Sequence, residues 1–179
     1  KSVELFERMG LDCTPVRDPG RRLVHAIPNY PLDAVLAKAP DVITYVEHGV
    51  CDLGVVGKDT ILEKGGAFYE VLDLGFGKCR FALAVKEGAD FYHTYKTRRV
   101  ASKYPAVAKR YFAAKGLDVD VIKIEGSVEL APILGLTDAI VDIVETGATL
   151  KANGLVPIET VADVSARLIV NTASMKLYK

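Results

Sequence analysis

Short apolar runs alternate with helix-like stretches along the chain, and this alternation limits the fold more than any other sequence feature. The runs predict strands at 23–27, 32–37, 52–57, 80–85, 100–102, 119–124, 138–144 and 166–170. Helices are predicted at 2–9, 41–49, 105–115 and 127–136, with Asp41 as an N-cap and Gly10 and Gly116 as stops. The pattern is typical of an α/β fold with parallel strands.

Two of the predicted strands suggest how the chain divides into lobes. The run at 166–170 resembles the run at 81–85 in length and character, so the two strands can cross between lobes as a paired hinge. We therefore predict a two-lobed, cleft-forming architecture. The first lobe comprises 1–82 and 163–179, and the second comprises 83–162.

The charge balance restricts the partners that the chain can bind. Lys+Arg and Asp+Glu both total 23, so the formal net charge is zero. A balanced chain has no overall field to hold nucleic acid or an anionic membrane, and we expect neither as a partner. Any anion must be bound locally, by backbone amides or a few placed side chains.

Neither cysteine nor histidine spacing indicates a metal site. The three cysteines are widely separated without a CxxC pair, and the three histidines have no metal-ligand spacing. A reducing cytoplasm is the simplest location for such a chain. No apolar run approaches the length of a membrane span. No signal peptide is visible, although the first residue is Lys1 rather than Met.

The most informative stretch, 138–150, reads as a strand, a tight turn and a helix that ends at Asn153. Gly147 tolerates a positive φ and allows a ligand to approach the backbone. Thr146 and Thr149 each offer a hydroxyl beside the amides that open the helix. Helix N-termini bind phosphate through free N–H groups and the positive end of the dipole.

Two acidic residues, Asp142 and Glu145, precede this turn. A carboxylate there repels phosphate but accepts hydrogen bonds from vicinal ribose hydroxyls. An acid followed by Thr-Gly-x-Thr is therefore the layout that a 5-phosphoribosyl group requires. The loop by itself leaves open an ordinary strand-to-helix turn with threonine capping.

Further segments, in the same order along the chain, resemble the ATP phosphoribosyltransferase family. They are VEHGVCDLGVVGKD at 46–59, SKYP at 102–105, GSVELAP at 126–132 with GL at 135–136, and SARLIVN at 165–171. The resemblance covers nearly the whole chain. It implies a fold like that of type II periplasmic binding proteins, with two α/β lobes, two crossing strands and the active site in the inter-lobe cleft.

The resemblance also implies the reaction. The adenine N1 of ATP attacks the anomeric carbon of phosphoribosyl pyrophosphate and expels pyrophosphate, which is the first step of histidine biosynthesis. Mg²⁺ is expected to arrive on the pyrophosphate, so no all-protein metal site is expected. Catalysis of this kind depends on positioning and charge stabilisation, and no catalytic side chain is identified.

The same resemblance assigns substrate-binding residues. The 5-phosphate is assigned to Thr146, Gly147, Ala148 and Thr149. Asp142 and, less strictly, Glu145 are expected near the ribose.

Basic and acidic residues elsewhere are weighed against structural roles. Lys58 and Asp59 follow a strand-end glycine and can contact either nucleotide, although a solvated turn lysine is an equal interpretation of Lys58. Arg80 and Lys103 can neutralise polyphosphate or form structural ion pairs. The remaining candidates are expected to be solvated loop charges (Arg21, Arg22, Lys96, Arg98, Arg99) or supports for the loop (Ser127, Glu129).

Both ends of the chain depart from the family pattern. The family opens with a strand and a Lys-Gly-Arg turn, which we expect to precede this sequence in the native protein. The chain ends at Lys179 without a regulatory domain, as in the short form; a truncated long form would look the same. The short form implies a homodimer assembling with a regulatory subunit that resembles histidyl-tRNA synthetase.

Two other functions remain open on sequence grounds. A receptor with the same fold would bind the nucleotide or phosphoribosyl pyrophosphate without releasing pyrophosphate. Other phosphoribosyltransferases usually carry paired acids directly before the phosphate loop, and Val144-Glu145 is not such a pair.

Overall fold

The computed structural model describes residues 1–93 and 96–177, in which the chain forms eight helices and ten strands. The helices are α1 Ser2–Arg8, α2 Thr14–Arg17, α3 Ala39–Glu47, α4 Lys58–Lys64, α5 Pro105–Ala114, α6 Leu130–Ile133, α7 Ala148–Ala152 and α8 Ser174–Leu177. The strands are β1 Val24–Ala26, β2 Asp33–Val35, β3 Leu53–Gly57, β4 Phe68–Asp73, β5 Cys79–Lys86, β6 Arg98–Ser102, β7 Val119–Lys123, β8 Ala139–Val144, β9 Leu155–Val164 and β10 Ala166–Asn171. Of the predicted lobes, 94–95 and 178–179 lie outside the described residues.

The chain divides into two units. The first contains 1–56, 67–72 and 168–179, and the second contains 57–66 and 73–167. These units place 57–66, 73–82 and 163–167 in the second unit, whereas the predicted lobes place them in the first. Strand β10 contributes to both units, but β5 belongs to the second unit alone.

The first unit packs α3 closely on a small sheet. Its three strands have the order β3-β10-β4, and β1 and β2 form a separate antiparallel pair. Gly54 on β3 is buried, and a Cβ there would lie 2.7 Å from Cγ1 of Val42 on α3. The absence of a side chain at position 54 therefore allows the helix to approach the strand.

The second unit contains a five-stranded sheet of order β7-β6-β8-β5-β9. Strand β6 pairs in parallel with β7 and β8, whereas β5 pairs antiparallel with β8 and β9. The predicted parallel strands are therefore confirmed for β7, β6 and β8. The expectation is wrong for β5 and β9, which make the sheet mixed.

Alternate residues of β5 pack in two different hydrophobic clusters. Phe81, Leu83 and Val85 are buried in a cluster that includes Phe112 of α5. Ala82 and Ala84 are buried in the other cluster, with Ala131 of α6 and Leu150 of α7. Because side chains alternate across a strand, these clusters cover opposite faces of the sheet. The loop between β8 and α7 is thus supported by the alanine-lined face.

Several boundaries differ from the predictions. Helix α3 begins at Ala39 after the N-cap Lys38, with Pro40 in its first turn, so the expected N-cap at Asp41 is wrong. Helix α6 covers 130–133 rather than 127–136, and Gly135 with φ +77° follows it. The elements α2, α4, α8, β4 and β9 were not predicted from the sequence.

The described part of the chain contains no helix that is both long and apolar enough to cross a membrane.

Candidate active site

The loop that follows β8 has the predicted strand–turn–helix geometry. Strand β8 ends at Val144, and α7 begins at Ala148 directly after the N-cap Gly147. Gly147 has φ +77° and ψ +4°, a left-handed conformation that a residue with a side chain adopts only at a cost. The local prediction is therefore confirmed at Gly147.

The polar groups of this loop face solvent. Thr146, Ala148 and Thr149 are exposed, and Thr146 Oγ1 accepts a hydrogen bond from the Ala148 amide at 3.3 Å. The first amides of a helix have no intrahelical acceptor. An anion placed against the start of α7 can therefore meet backbone N–H groups and two threonine hydroxyls.

Asp142 lies half-buried on β8, just before the loop. Its Oδ1 accepts a hydrogen bond from the Ile143 amide at 2.8 Å. Burial raises the pKa of Asp142, and the Glu129 carboxylate raises it further, whereas the Ile143 amide and the Lys103 ammonium lower it. The charges of Lys103 and Glu129 thus lie close enough to act on this carboxyl group.

Asp59 reaches the same region from the second position of α4. A Cβ at Gly57 would lie 2.0 Å from Oδ1 of Asp59, so the carboxylate folds back over the glycine. Oδ2 of Asp59 accepts a hydrogen bond from the Tyr104 hydroxyl at 3.2 Å. Burial raises the pKa of Tyr104, and the negative charges of Asp59 and Asp142 raise it further.

Cys79 lies within electrostatic range of both the α4 carboxylate and the loop. Burial raises the pKa of the Cys79 thiol, and the charges of Asp59 and Glu145 add to this effect. Four predicted residues from separate segments thus belong to one electrostatically coupled group with Cys79 and Tyr104: Asp59, Lys103, Asp142 and Glu145.

Arg80 and Lys58 each adjoin a member of this group in sequence, Cys79 and Asp59 respectively. Arg80 is half-buried and pairs with Val144 in the β5–β8 ladder, where Ala82 pairs with Asp142. Arg80 and Asp142 therefore share one face of the sheet. The Lys58 amide donates to the Ser165 carbonyl at 2.9 Å.

The other basic candidates have separate positions. Arg21 and Arg22 are exposed in the first unit. Arg98 donates to the carbonyls of Phe91 and Tyr92 at 2.8 and 2.6 Å, which is a structural role. Lys96 and Arg99 are exposed, and the Arg99 amide donates to Asp138 at 2.8 Å.

Sequence reasoning missed Tyr104 and Cys79 as members of this group. Tyr104 was quoted only as part of the SKYP segment, and Cys79 only as an unpaired cysteine. The position of the SKYP segment, between a predicted strand and the next helix, was the available signal for Tyr104.

Two surface cavities of the second unit differ in their relation to the site. One of about 250 Å³ is lined by Lys109, Phe112, Ala113, Leu117, Asp118 and Val119, which are not predicted site residues. Another of about 220 Å³ includes Cys79, Ser165 and the ion pair of Asp73 with Arg167. In residues 1–93 and 96–177, no three His, Cys, Asp or Glu side chains are placed to hold a metal ion.

Comparison with known proteins identifies the family. Residues 38–179 match the model of the HisG family, described as ATP phosphoribosyltransferase. The chain belongs to the ATP phosphoribosyltransferase family. An ATP phosphoribosyltransferase of Clostridium kluyveri is 59% identical over 179 residues, which are 100% of this chain and 82% of that protein. Another from Clostridium acetobutylicum is 58% identical over 178 residues, 99% of this chain and 83% of that protein.

Solved structures agree with this assignment. The ATP phosphoribosyl transferase (HisG:HisZ) complex of Thermotoga maritima is 37% identical with a TM-score of 0.74, covering 81% of this chain and 70% of that chain. The arginine-bound ArgBP of T. maritima is 15% identical with a TM-score of 0.51, covering 80% of this chain and 71% of that chain. The latter likeness concerns the fold alone, and it confirms the predicted periplasmic-binding-protein-like architecture.

The family assignment confirms the expected activity. This ATP phosphoribosyltransferase is a pentosyltransferase that transfers the phosphoribosyl group of phosphoribosyl pyrophosphate to N1 of ATP, the first step of histidine biosynthesis. The family assignment excludes the two alternative functions, a receptor and a different phosphoribosyltransferase.

Proposed function

We propose that residues 142–149 bind the 5-phosphoribosyl group of phosphoribosyl pyrophosphate during transfer to ATP. The observation that carries the proposal is the left-handed turn at Gly147, with φ +77°, immediately before α7. This turn places exposed threonine hydroxyls and helix-opening amides together. Half-buried Asp142 precedes them on strand β8.

Each part of the loop has a distinct role in this proposal. Thr146, Gly147, Ala148 and Thr149 bind the 5-phosphate through hydroxyl and amide donors. Asp142 accepts hydrogen bonds from the vicinal ribose hydroxyls, and Glu145 lies beside it. A phosphate at one end and hydroxyls at the other fix the orientation of the anomeric carbon.

The chemistry then needs positioning rather than a side-chain nucleophile. The lone pair of adenine N1 forms the new bond to the anomeric carbon, while the bond from that carbon to the pyrophosphate oxygen breaks. The electron pair of the broken bond leaves with pyrophosphate. Lys58, Arg80 and Lys103 are proposed to stabilise the polyphosphate charges. Asp59 is proposed to contact the nucleotide. Mg²⁺ is proposed to arrive bound to the pyrophosphate of the substrate.

The assembly and location are proposed from relatives. The T. maritima relative forms a HisG:HisZ complex. We infer that this chain, as a short form, makes a homodimer that joins a HisZ regulatory subunit resembling histidyl-tRNA synthetase. A cytoplasmic location fits a biosynthetic enzyme with three free cysteines.

Thr149→Ala is expected to raise KM for phosphoribosyl pyrophosphate about tenfold, because the variant loses one hydrogen bond to a phosphate charge. KM for ATP is expected to stay unchanged. The measurement is the absorbance assay of phosphoribosyl-ATP formation, with Mg²⁺ and each substrate varied in turn.

Thr160→Ala is the matched control, because Thr160 is an exposed threonine on β9. It is expected to leave both KM values unchanged. Equal KM values for phosphoribosyl pyrophosphate in the two variants would contradict the proposed phosphate loop.

Addition of a HisZ subunit from a relative is expected to increase kcat and to make the reaction sensitive to histidine. The reason is that the T. maritima relative occurs in a HisG:HisZ complex. The same assay, run with and without HisZ, measures both effects. Histidine inhibition of the chain alone, at full activity, would contradict the proposed assembly.

A further inference from the structure

Helix α4 begins with two residues proposed to contact substrate, Lys58 and Asp59, yet its own sequence does little to fix its position. It has seven residues, and its N-cap Gly57 makes no side-chain hydrogen bond. Helices this short are not stable in isolation. Gly65 and Gly66 follow with φ +69° and +143°, so the residues after α4 supply no side-chain anchor. The orientation of α4 therefore depends on its contacts with other elements.

Glu63, in the last turn of α4, caps the start of α5. Its two carboxylate oxygens accept hydrogen bonds from the amides of Ala106 and Val107, at 3.1 and 3.0 Å. These amides lie in the first turn of α5, where intrahelical acceptors are lacking and the helix dipole favours a negative charge. The N-cap residue of α5, Tyr104, makes no side-chain capping bond. Glu63 therefore supplies from α4 the cap that α5 lacks in its own sequence.

The capping is reciprocal, because α5 also binds the end of α4. Arg110 on α5 donates a hydrogen bond from Nη2 to the carbonyl of Leu62, which lies in the last turn of α4. The Leu62 side chain packs against the hydrophobic cluster that contains Val107 of α5. A carboxylate of α4, a guanidinium of α5 and one apolar side chain together hold the two helices in one arrangement within the second unit.

Asp59 lies one helical turn before Glu63, and residues four apart are neighbours on one face of a helix. Oδ2 of Asp59 accepts a hydrogen bond from the Tyr104 hydroxyl at 3.2 Å, so this face of α4 is directed at the start of α5 at both positions. A carboxylate offers about four acceptor positions, so Asp59 can accept further hydrogen bonds from a ligand. Rotation of α4 about its axis would move this carboxylate.

We propose that Glu63 is a positioning residue that fixes the rotation of α4 against α5 and thereby directs the Asp59 carboxylate to ATP. This inference rests on the proposed contact between Asp59 and the nucleotide. Glu63 acts through the backbone of α4, since its own oxygens bind the amides of α5, and it forms no bond to substrate.

The test is Glu63→Gln, which keeps the length of the side chain but replaces one acceptor oxygen with a nitrogen that cannot accept. One amide of α5 then loses its acceptor, and the charge that complements the helix dipole is removed. KM for ATP is expected to rise about fivefold, whereas kcat stays within about twofold and KM for phosphoribosyl pyrophosphate is unchanged. The absorbance assay of phosphoribosyl-ATP formation, with each substrate varied in turn, measures these constants.

Glu159→Gln is the matched control for a loss of stability. Glu159 holds the other end of α5, where it accepts hydrogen bonds from the Tyr111 hydroxyl and the Lys115 ammonium. Urea unfolding is expected to show a lower stability for both variants. Glu159→Gln is expected to leave KM for ATP unchanged, because the contacts of α4 are at the start of α5. An equal rise in KM for ATP in the two variants would overturn the proposal, since weaker folding alone would then explain it.

A double-mutant cycle with Asp59→Asn tests whether Glu63 acts through Asp59. Asp59→Asn is expected to raise KM for ATP by itself. Adding Glu63→Gln to that variant is then expected to change KM for ATP by less than about twofold. An undiminished effect of Glu63→Gln in the Asp59→Asn background would overturn the proposal, because Glu63 would then act independently of Asp59.

The single variants separate this inference from the proposed function. If Asp59→Asn raises KM for ATP and Glu63→Gln does not, the positioning role of Glu63 is wrong and the contact of Asp59 with the nucleotide stands. If neither variant changes KM for ATP, the contact of Asp59 is wrong and the role of Glu63 is excluded with it.

Discussion

Asp142→Asn is expected to lower kcat/KM for phosphoribosyl pyrophosphate about 100-fold. In the proposed role, the Asp142 carboxylate accepts two hydrogen bonds from ribose hydroxyls. Loss of the negative charge weakens each hydrogen bond by about 1–2 kcal/mol. Asparagine keeps the size of the side chain and one acceptor oxygen, so the half-buried position remains filled. Steady-state kinetics with phosphoribosyl pyrophosphate varied at saturating ATP measures the effect.

The pH dependence of binding provides a second readout for Asp142. Burial raises the pKa of this carboxyl group, so it becomes protonated at a higher pH than an exposed aspartate. Since the ionised form is the better acceptor, affinity for phosphoribosyl pyrophosphate is expected to fall as the pH decreases through this raised pKa. In Asp142→Asn, this decrease in affinity at acidic pH is expected to be absent.

Asp120→Asn supplies the control for Asp142, because Asp120 is an exposed aspartate on β7 of the same sheet. It is expected to show wild-type kinetics and the wild-type pH profile. If Asp142→Asn behaves like Asp120→Asn, the ribose-binding role is excluded.

Glu159→Gln is expected to lower the free energy of unfolding by about 2 kcal/mol at pH 7. Glu159 on β9 accepts hydrogen bonds from the Lys115 ammonium, the Tyr111 hydroxyl and, at 2.7 Å, the Tyr92 hydroxyl. Lys115 also lies over the rings of both tyrosines, at 5.3 and 4.9 Å from their centroids. The variant removes the negative charge at the centre of this network. Urea unfolding of the variant and the wild type measures the difference in the free energy of unfolding.

The acid dependence of this difference has a definite sign. Hydrogen bonds from Lys115, Tyr111 and Tyr92 hold the pKa of Glu159 at about 2 in the folded protein, below its ordinary value of 4.5. A lowered pKa gives stabilisation that is complete above the unfolded value and is lost as the pH falls through the folded value. The difference between wild type and Glu159→Gln is therefore constant above pH 4.5 and narrows towards pH 2.

Glu125→Gln is the comparison variant for Glu159. Glu125 pairs with Lys123 at 2.6 Å, but their side chains are 72% and 58% exposed, against 31% and 35% for Glu159 and Lys115. No measurable change in unfolding is expected, because exposed ion pairs contribute little. A loss of stability for Glu125→Gln equal to that for Glu159→Gln would show that burial within the network is irrelevant.

Elements with a strong local pattern could be predicted from the sequence. Helix α5 was expected from Pro105 at its start and Gly116 after its end, and the structure gives Pro105–Ala114 with Gly116 at φ +67°. Strand β9 was missed because Pro157 and its mixed polar residues do not form an apolar run. It occupies an edge of the sheet, where a proline is tolerated.

In the candidate site, too, local features could be predicted from the sequence and long-range contacts could not. The turn at Gly147 could be predicted because a strand, a glycine and a helix follow one another within a few residues. The contact of Tyr104 with Asp59 could not, because the two residues are 45 positions apart. Their meeting depends on the packing of α4 against α5, and α4 itself was read as a turn after Gly57.

The alanine-lined face of the sheet restricts which substitutions the enzyme can accept without loss of substrate affinity. Ala82, Ala84 and Ala101 are buried in one cluster with Leu150, the residue that anchors α7. A larger side chain beneath that helix has to displace it, and the start of α7 carries the proposed phosphate donors. Positions on the alanine-lined face that never touch substrate are thus subject to selection on substrate binding as well as on stability. Substitutions on this face and in the loop before α7 must therefore evolve together.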